Sequence, residues 1–145
     1  MAGSQKSDFT ILSAETIPIS IPWYRRMLGL GAGPSLRKRI SEILQLRNPA
    51  DVHAAWNSAS VDANLAAKVS RIIAEWCEWP NALFVPDDEC GYLFRDMGTD
   101  LNSVDAMIQI EADIVPNLNQ DVWSGLNTMS YGELIGHIQA QLAVP

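Results

Sequence analysis

The stretch FRDMGTDLNSVDAMIQIEADI, residues 94–114, decides the fold of this 145-residue chain. Leu101, Val104, Met107, Ile108, Ile110 and Ile114 recur at helical spacing, and Pro116 closes the run because a proline disfavours helical geometry just before it. Asn102 and Asp105 stand as a weak capping box. Asp96, Asp100, Asp105, Glu111 and Asp113 make this an acidic amphipathic helix, entered through the turn-forming Met97-Gly98-Thr99.

Reading outward from it, the same period predicts a long helix upstream, where Val61, Leu65, Val69, Ile72, Ile73 and Trp76 share a face. Asp62 stands near its start and Pro80 beyond its end. Between the two helices lies WPNALFVPDDECGYLFRDMGTD, too broken by Pro80, Pro86, Gly91 and Gly98 for one regular element, yet rich enough in Leu83, Phe84, Val85, Tyr92, Leu93 and Phe94 to pack on a core. Downstream, Val122, Trp123 and Leu126 predict a short helix. Tyr131, Leu134, Ile135 and Ile138 predict a closing one, capped by Thr128 or Ser130. No alternation of period two lasts long enough to call for a sheet, so the fold class is all-α.

The order of these elements from about Asn64 to Leu142 resembles the acyl carrier proteins. That family places Asp-Leu-Gly-x-Asp-Ser-Leu at the start of an acidic second helix. Here Asp96-Met97-Gly98-Thr99-Asp100 runs straight into Leu101, and Ser103 to Ile114 is similar to the acidic helix itself. Leu126-Asn127-Thr128-Met129-Ser130-Tyr131-Gly132-Glu133-Leu134-Ile135 is similar to the family's last helix. The resemblance implies a four-helix bundle with a long first loop over residues 59–145. Residues 1–58 precede it as a basic, partly helical extension.

The resemblance also implies a phosphopantetheine arm on a serine, where the helix N-terminus favours the phosphodiester. In the register set by Val104 to Ile114, that serine is deleted or replaced near Asp100, whose carboxylate has no hydroxyl to modify. Ser103 is the remaining candidate attachment residue, in the local Asn-Ser-Val-Asp, about a turn beyond the expected place. No cofactor is expected, and phosphopantetheine only if Ser103 is modified.

Charge narrows the partners. Residues 1–50 hold seven Lys and Arg against three Asp and Glu, a net of +4, whereas residues 51–145 hold three against fourteen, a net of −11. So acidic a body repels nucleic acid and suits a protein partner with a basic patch. The apolar runs are interrupted by Pro18, Pro22, Arg25 and Arg26, so no transmembrane segment is expected. Arg25, Arg26, Arg37, Lys38 and Arg39, with Trp23, Met27 and Leu28, could touch an anionic lipid surface weakly or fold back on the acidic helix. Cys77 and Cys90 match no zinc spacing, and no signal-peptide pattern precedes them; they read as reduced thiols of a cytoplasmic protein.

Residues 1–16 read as a mobile tail and 17–34 as an irregular Pro/Gly-rich segment. Ser35 to Leu46 read as a short basic helix and Asp51 to Ser58 as a further turn or two. Asp87-Asp88-Glu89 lacks the alternating ligand pattern of a calcium loop and reads as a solvated acidic turn. Trp76, Trp79 and Trp123 close a core or line an aromatic pocket. His53 and His137 stand without ligand partners, and Gly29-x-Gly31-x-Gly33 lacks the lysine of a phosphate loop.

Three functions follow in order. The first is a non-catalytic, acyl-carrier-like interaction module that meets a protein through Asp96, Asp100, Asp105, Glu111 and Asp113, with Val104, Met107 and Ile108 as apolar contact or core. The second is a true acyl or peptidyl carrier with its arm on Ser103. The third, a small enzyme or lipid-surface-binding protein, has no nucleophile–base pair or metal cluster behind it. The expected single core joins Leu65, Val69, Ile72, Trp76, Val104, Ile108, Ile114, Leu134, Ile135 and Ile138. Partner identity and oligomeric state are not legible.

Overall fold

A computed structural model describes residues 10–13, 15–17, 34–94 and 101–144, with the backbone alone for 34, 35, 101–103 and 127. Among the described residues the regular structure is helical and no strand occurs. In order these are α1 (Pro34–Leu46), α2 (Pro49–Asn57), α3 (Ala63–Trp76), the single turn α4 (Cys90–Leu93), α5 (Leu101–Asp113), α6 (Gln120–Ser124), a 3-10 turn (Leu126–Thr128) and α7 (Tyr131–Leu142).

The helix starts follow from side chains that accept the orphan amides of a first turn. Asn48 accepts from the Ala50 N–H at 2.8 Å, with Pro49 in the first helical position where no amide is needed. Asp62 accepts from Asn64 and Leu65, and Ser130 accepts from Glu133 at 3.2 Å; of the two caps expected for the last helix, Ser130 serves. Helices α1 and α5 each begin one residue earlier than their expected caps, Ser35 and Asn102, which therefore lie inside the first turn.

Helix α3 is central and packs on α2, α5 and α7. Its innermost residues are Ala66, Val69, Ser70 and Ile73. The expected core is thus partly corrected. Val69, Leu134, Ile135 and Ile138 are fully buried, and Leu65, Ile72 and Ile114 pack half-buried at its edge. Trp76, Val104 and Ile108, by contrast, are 38%, 46% and 59% exposed.

The physical reason differs between the two helices. On α3 the small Ala66 and Ser70 share the inward face with Val69 and Ile73, and Ser70 Oγ lies 2.7 Å from the buried Tyr131 hydroxyl, so the core meets this helix partly through small residues. Tyr131 itself is boxed edge-on by Trp56 and Phe84 at ring centroids of 5.4 and 5.8 Å. On α5 two apolar stripes compete, and the one carrying Ala106 and Ile110 is buried, both at 0% exposure.

The connection from α3 to α4 is the seam of the molecule. The Trp56 indole donates to Phe84 O at 2.8 Å and the Trp79 indole to Leu93 O at 2.9 Å. Asn81 donates to Leu44 O at 2.9 Å. Tyr131 N–H donates to Asp88 O at 2.7 Å and Gly132 N–H to Pro86 O at 2.9 Å, so the connection lies against the start of α7. A Cβ on Gly132 would come within 3.1 Å of Pro86 Cβ, which explains a glycine in this first helical turn.

The expectation of a mobile tail over residues 1–16 fails at its end. Leu12 is 0% and Ile17 2% exposed, because the seam offers both apolar sockets and hydrogen-bond partners to residues 10–17. Residues 1–9 lie outside the described residues.

Candidate partner-binding helix

Helix α5 carries most of the sequence-derived site. With Ala106 and Ile110 turned into the core, residues 104, 105, 108 and 112 form its opposite face, and all four are exposed. Val104, Ile108 and Ala112 line up one turn apart, with Asp105 beside them. Val104 and Ile108 thus lie on the side of the helix away from its buried stripe, each with about half of its surface open to solvent.

The five acidic residues are not equivalent. Asp105 and Asp113 are exposed, and Asp113 accepts from Gln109 Nε2 at 2.6 Å. Glu111 is half-buried and accepts from the Trp123 indole at 2.7 Å, so it fastens α5 to α6. Phe94 meets the same tryptophan edge-on at 6.3 Å. Glu111 is thereby a partly covered carboxylate engaged in an internal contact. Asp96 and Asp100 lie outside the described residues. Ser103 belongs to α5 by its backbone, as the third residue of the helix, and its side chain is outside the described set.

The acidic triplet Asp87-Asp88-Glu89 is also corrected. Asp88 is fully buried and forms a bidentate pair with Arg47, both guanidinium nitrogens lying 2.7 Å from its carboxylate oxygens. Its Oδ1 also accepts from Leu12 N–H at 3.0 Å, and its Oδ2 from Val85 N–H at 2.9 Å. Arg47 in turn donates to Leu83 O and Thr10 O at 2.8 and 2.9 Å. The contact ties together three segments far apart in sequence, and nothing periodic links residues 47 and 88. Paired, fully bonded charges of this kind are the sort a core tolerates.

The other candidates disperse. Arg37, considered for a lipid surface or the acidic helix, instead donates to Cys77 O and Glu78 O at the end of α3 and stacks over Trp79 at 4.8 Å. Glu78 there has φ 59°, the left-handed turn that ends the helix. Lys38 and Arg39 are exposed. Trp79 is buried, Trp123 half-buried and Trp76 exposed, so the three do not share one environment.

Cys77 and Cys90 are both buried and not joined in a disulfide, and burial, aided by Glu133 and Asp88, pushes the Cys90 thiol well up. His53 and His137 are exposed, and no group of three metal-ligating side chains occurs among the described residues. Gly29, Gly31 and Gly33, with all the rest of 18–33, are outside the described residues. No described helix is long and apolar enough to cross a membrane. No family model, curated protein or solved structure matches this chain.

Proposed function

We propose that this protein is a non-catalytic, acyl-carrier-like interaction module that meets a basic protein partner through the exposed face of α5. One observation carries the reading: Val104 and Ile108 stand 46% and 59% exposed, one turn apart, beside the exposed carboxylate of Asp105. Support for the carrier-like architecture comes from the order of elements: long α3, a packed connection, acidic α5, short α6 and closing α7. The charge of −11 over residues 51–145 favours a positively charged partner and speeds its approach.

Full burial of an aliphatic side chain contributes ~1.5–3 kcal/mol, so burying what remains exposed of Val104 and Ile108 would contribute ~2–3 kcal/mol together. That corresponds to roughly a 30- to 150-fold effect on affinity. The test is co-purification from the native cell, followed by titration of the recovered partner with wild-type protein and with the Val104→Ser/Ile108→Ser and Asp105→Lys variants. Weaker binding by both variants, and weaker wild-type binding at high salt, support the proposal. Unchanged affinity for both variants refutes it.

A further inference from the structure

Residues 10–17 sit against the rest of the protein as a bound peptide would. Their two apolar side chains, Leu12 and Ile17, are 0% and 2% exposed. Among the described residues, side chains and backbone distant in sequence read the main chain at Thr10, Leu12 and Ile17. Arg47 Nη2 donates to Thr10 O at 2.9 Å, and Asp88 Oδ1 accepts from Leu12 N–H at 3.0 Å. Glu89 N–H donates to Leu12 O at 2.8 Å, and the Tyr92 hydroxyl donates to Ile17 O at 2.6 Å. Between the anchors a turn closes on Ser13, whose carbonyl accepts from Ile17 N–H at 2.8 Å and whose hydroxyl lies 3.2 Å from that of Thr16.

The receptor side is organised by contacts that do not involve the segment. Arg47 and Asp88 hold each other, Arg47 also holds Leu83 O, and Val85 N–H also holds Asp88. Both side chains are buried, and the segment bonds to these same two groups through Thr10 O and Leu12 N–H. Recognition therefore rests on main-chain hydrogen bonds plus two aliphatic sockets, the mode by which proteins capture short peptides.

We propose that the cleft between the end of α1, residues 83–89 and α4 is a peptide-binding site for two aliphatic anchors five residues apart across a serine-closed turn. Its second occupant is the same segment from another copy of this chain. That sequence is the one seen to fit, and sixteen residues, 18–33, separate it from α1. Within one copy the segment is covalently held near the cleft, so exchange between copies becomes competitive only as the protein concentration rises.

The test uses the full-length chain with its own anchors weakened, Leu12→Ser/Ile17→Ser, and a labelled synthetic peptide of residues 8–19. The peptide is expected to bind saturably, and a peptide carrying Leu12→Ser about tenfold or more weakly, as the loss of one buried leucine requires. Should the variant not fold alone, the peptide is expected to restore its helical circular dichroism. Neither binding nor restoration, or binding indifferent to the peptide's anchors, overturns the site. For the second occupant, wild-type protein is refolded at ~10 µM and at ~1 mM, a roughly hundredfold range over which exchange between copies gains on binding within one copy, and measured by native mass spectrometry. A dimer that appears at the higher concentration, disappears in Leu12→Ser/Ile17→Ser and survives Ile108→Asp is expected; a monomer throughout, or a dimer lost only with Ile108→Asp, overturns exchange.

Discussion

Replacing Asp88 with Ala should be among the most damaging single changes in the chain. The carboxylate is fully buried and accepts from both Arg47 nitrogens, Leu12 N–H and Val85 N–H. Its loss leaves the Arg47 guanidinium, itself 2% exposed, without its counter-charge, which costs ~3–5 kcal/mol. The two orphaned amides add ~1–3 kcal/mol each where water cannot reach them. Against a typical domain stability of ~5–15 kcal/mol, the variant should be marginal or unfolded.

Urea titration followed by circular dichroism measures this directly, with Asp88→Asn as the milder companion. The Arg47→Met/Asp88→Leu double variant should be destabilised by far less than the sum of Arg47→Met and Asp88→Leu, because the worst product of each single change is an unpaired buried charge. A loss below about 1 kcal/mol for Asp88→Ala, or simple additivity in the cycle, would refute the buried-pair reasoning.

Ile110→Ala should cost ~2–5 kcal/mol and Ile108→Ala under ~1 kcal/mol, since the first is 0% and the second 59% exposed; equal losses in urea titration would show that α5 is turned the other way. Tyr131→Phe removes the partner of buried Ser70 Oγ and should cost ~1–3 kcal/mol, read from the same titration. Burial raises Cys90 above the ordinary thiol value of 9.0 and Tyr131 well above 10.0. Because the unfolded chain would release these protons first, stability should be intact below about pH 9 and fall as pH rises beyond it, with Cys90→Ala removing part of the slope. A stability flat from pH 8 to about 11 in urea titration would contradict this.

Helix type and position were legible because apolar period and caps are local properties. Asp62 and Ser130 sit where an N-cap must sit, and the structure uses both. Helix rotation was less legible. On α5, Val104 with Ile108 and Ala106 with Ile110 both make apolar stripes, and only the neighbours α5 meets decide between them. On α3 the deciding feature was a serine and an alanine, which a search for bulky residues passes over. Of the proposed site, Asp105, Asp113, Val104 and Ile108 stand exposed, whereas Glu111 is held by a tryptophan twelve residues away. Arg47 with Asp88, and the docking of Leu12 and Ile17, depend on long-range geometry that no spacing rule encodes.

The central claim is that α5 works by contact and not through a covalent arm. Intact-mass measurement after incubation with a phosphopantetheinyl transferase and coenzyme A tests it most directly. Asp100 offers no hydroxyl, and Ser103 lies two residues into the helix, past the start where a phosphodiester gains most from the exposed amides. The account predicts an unchanged mass; an increase abolished by Ser103→Ala would contradict it and make the protein a carrier.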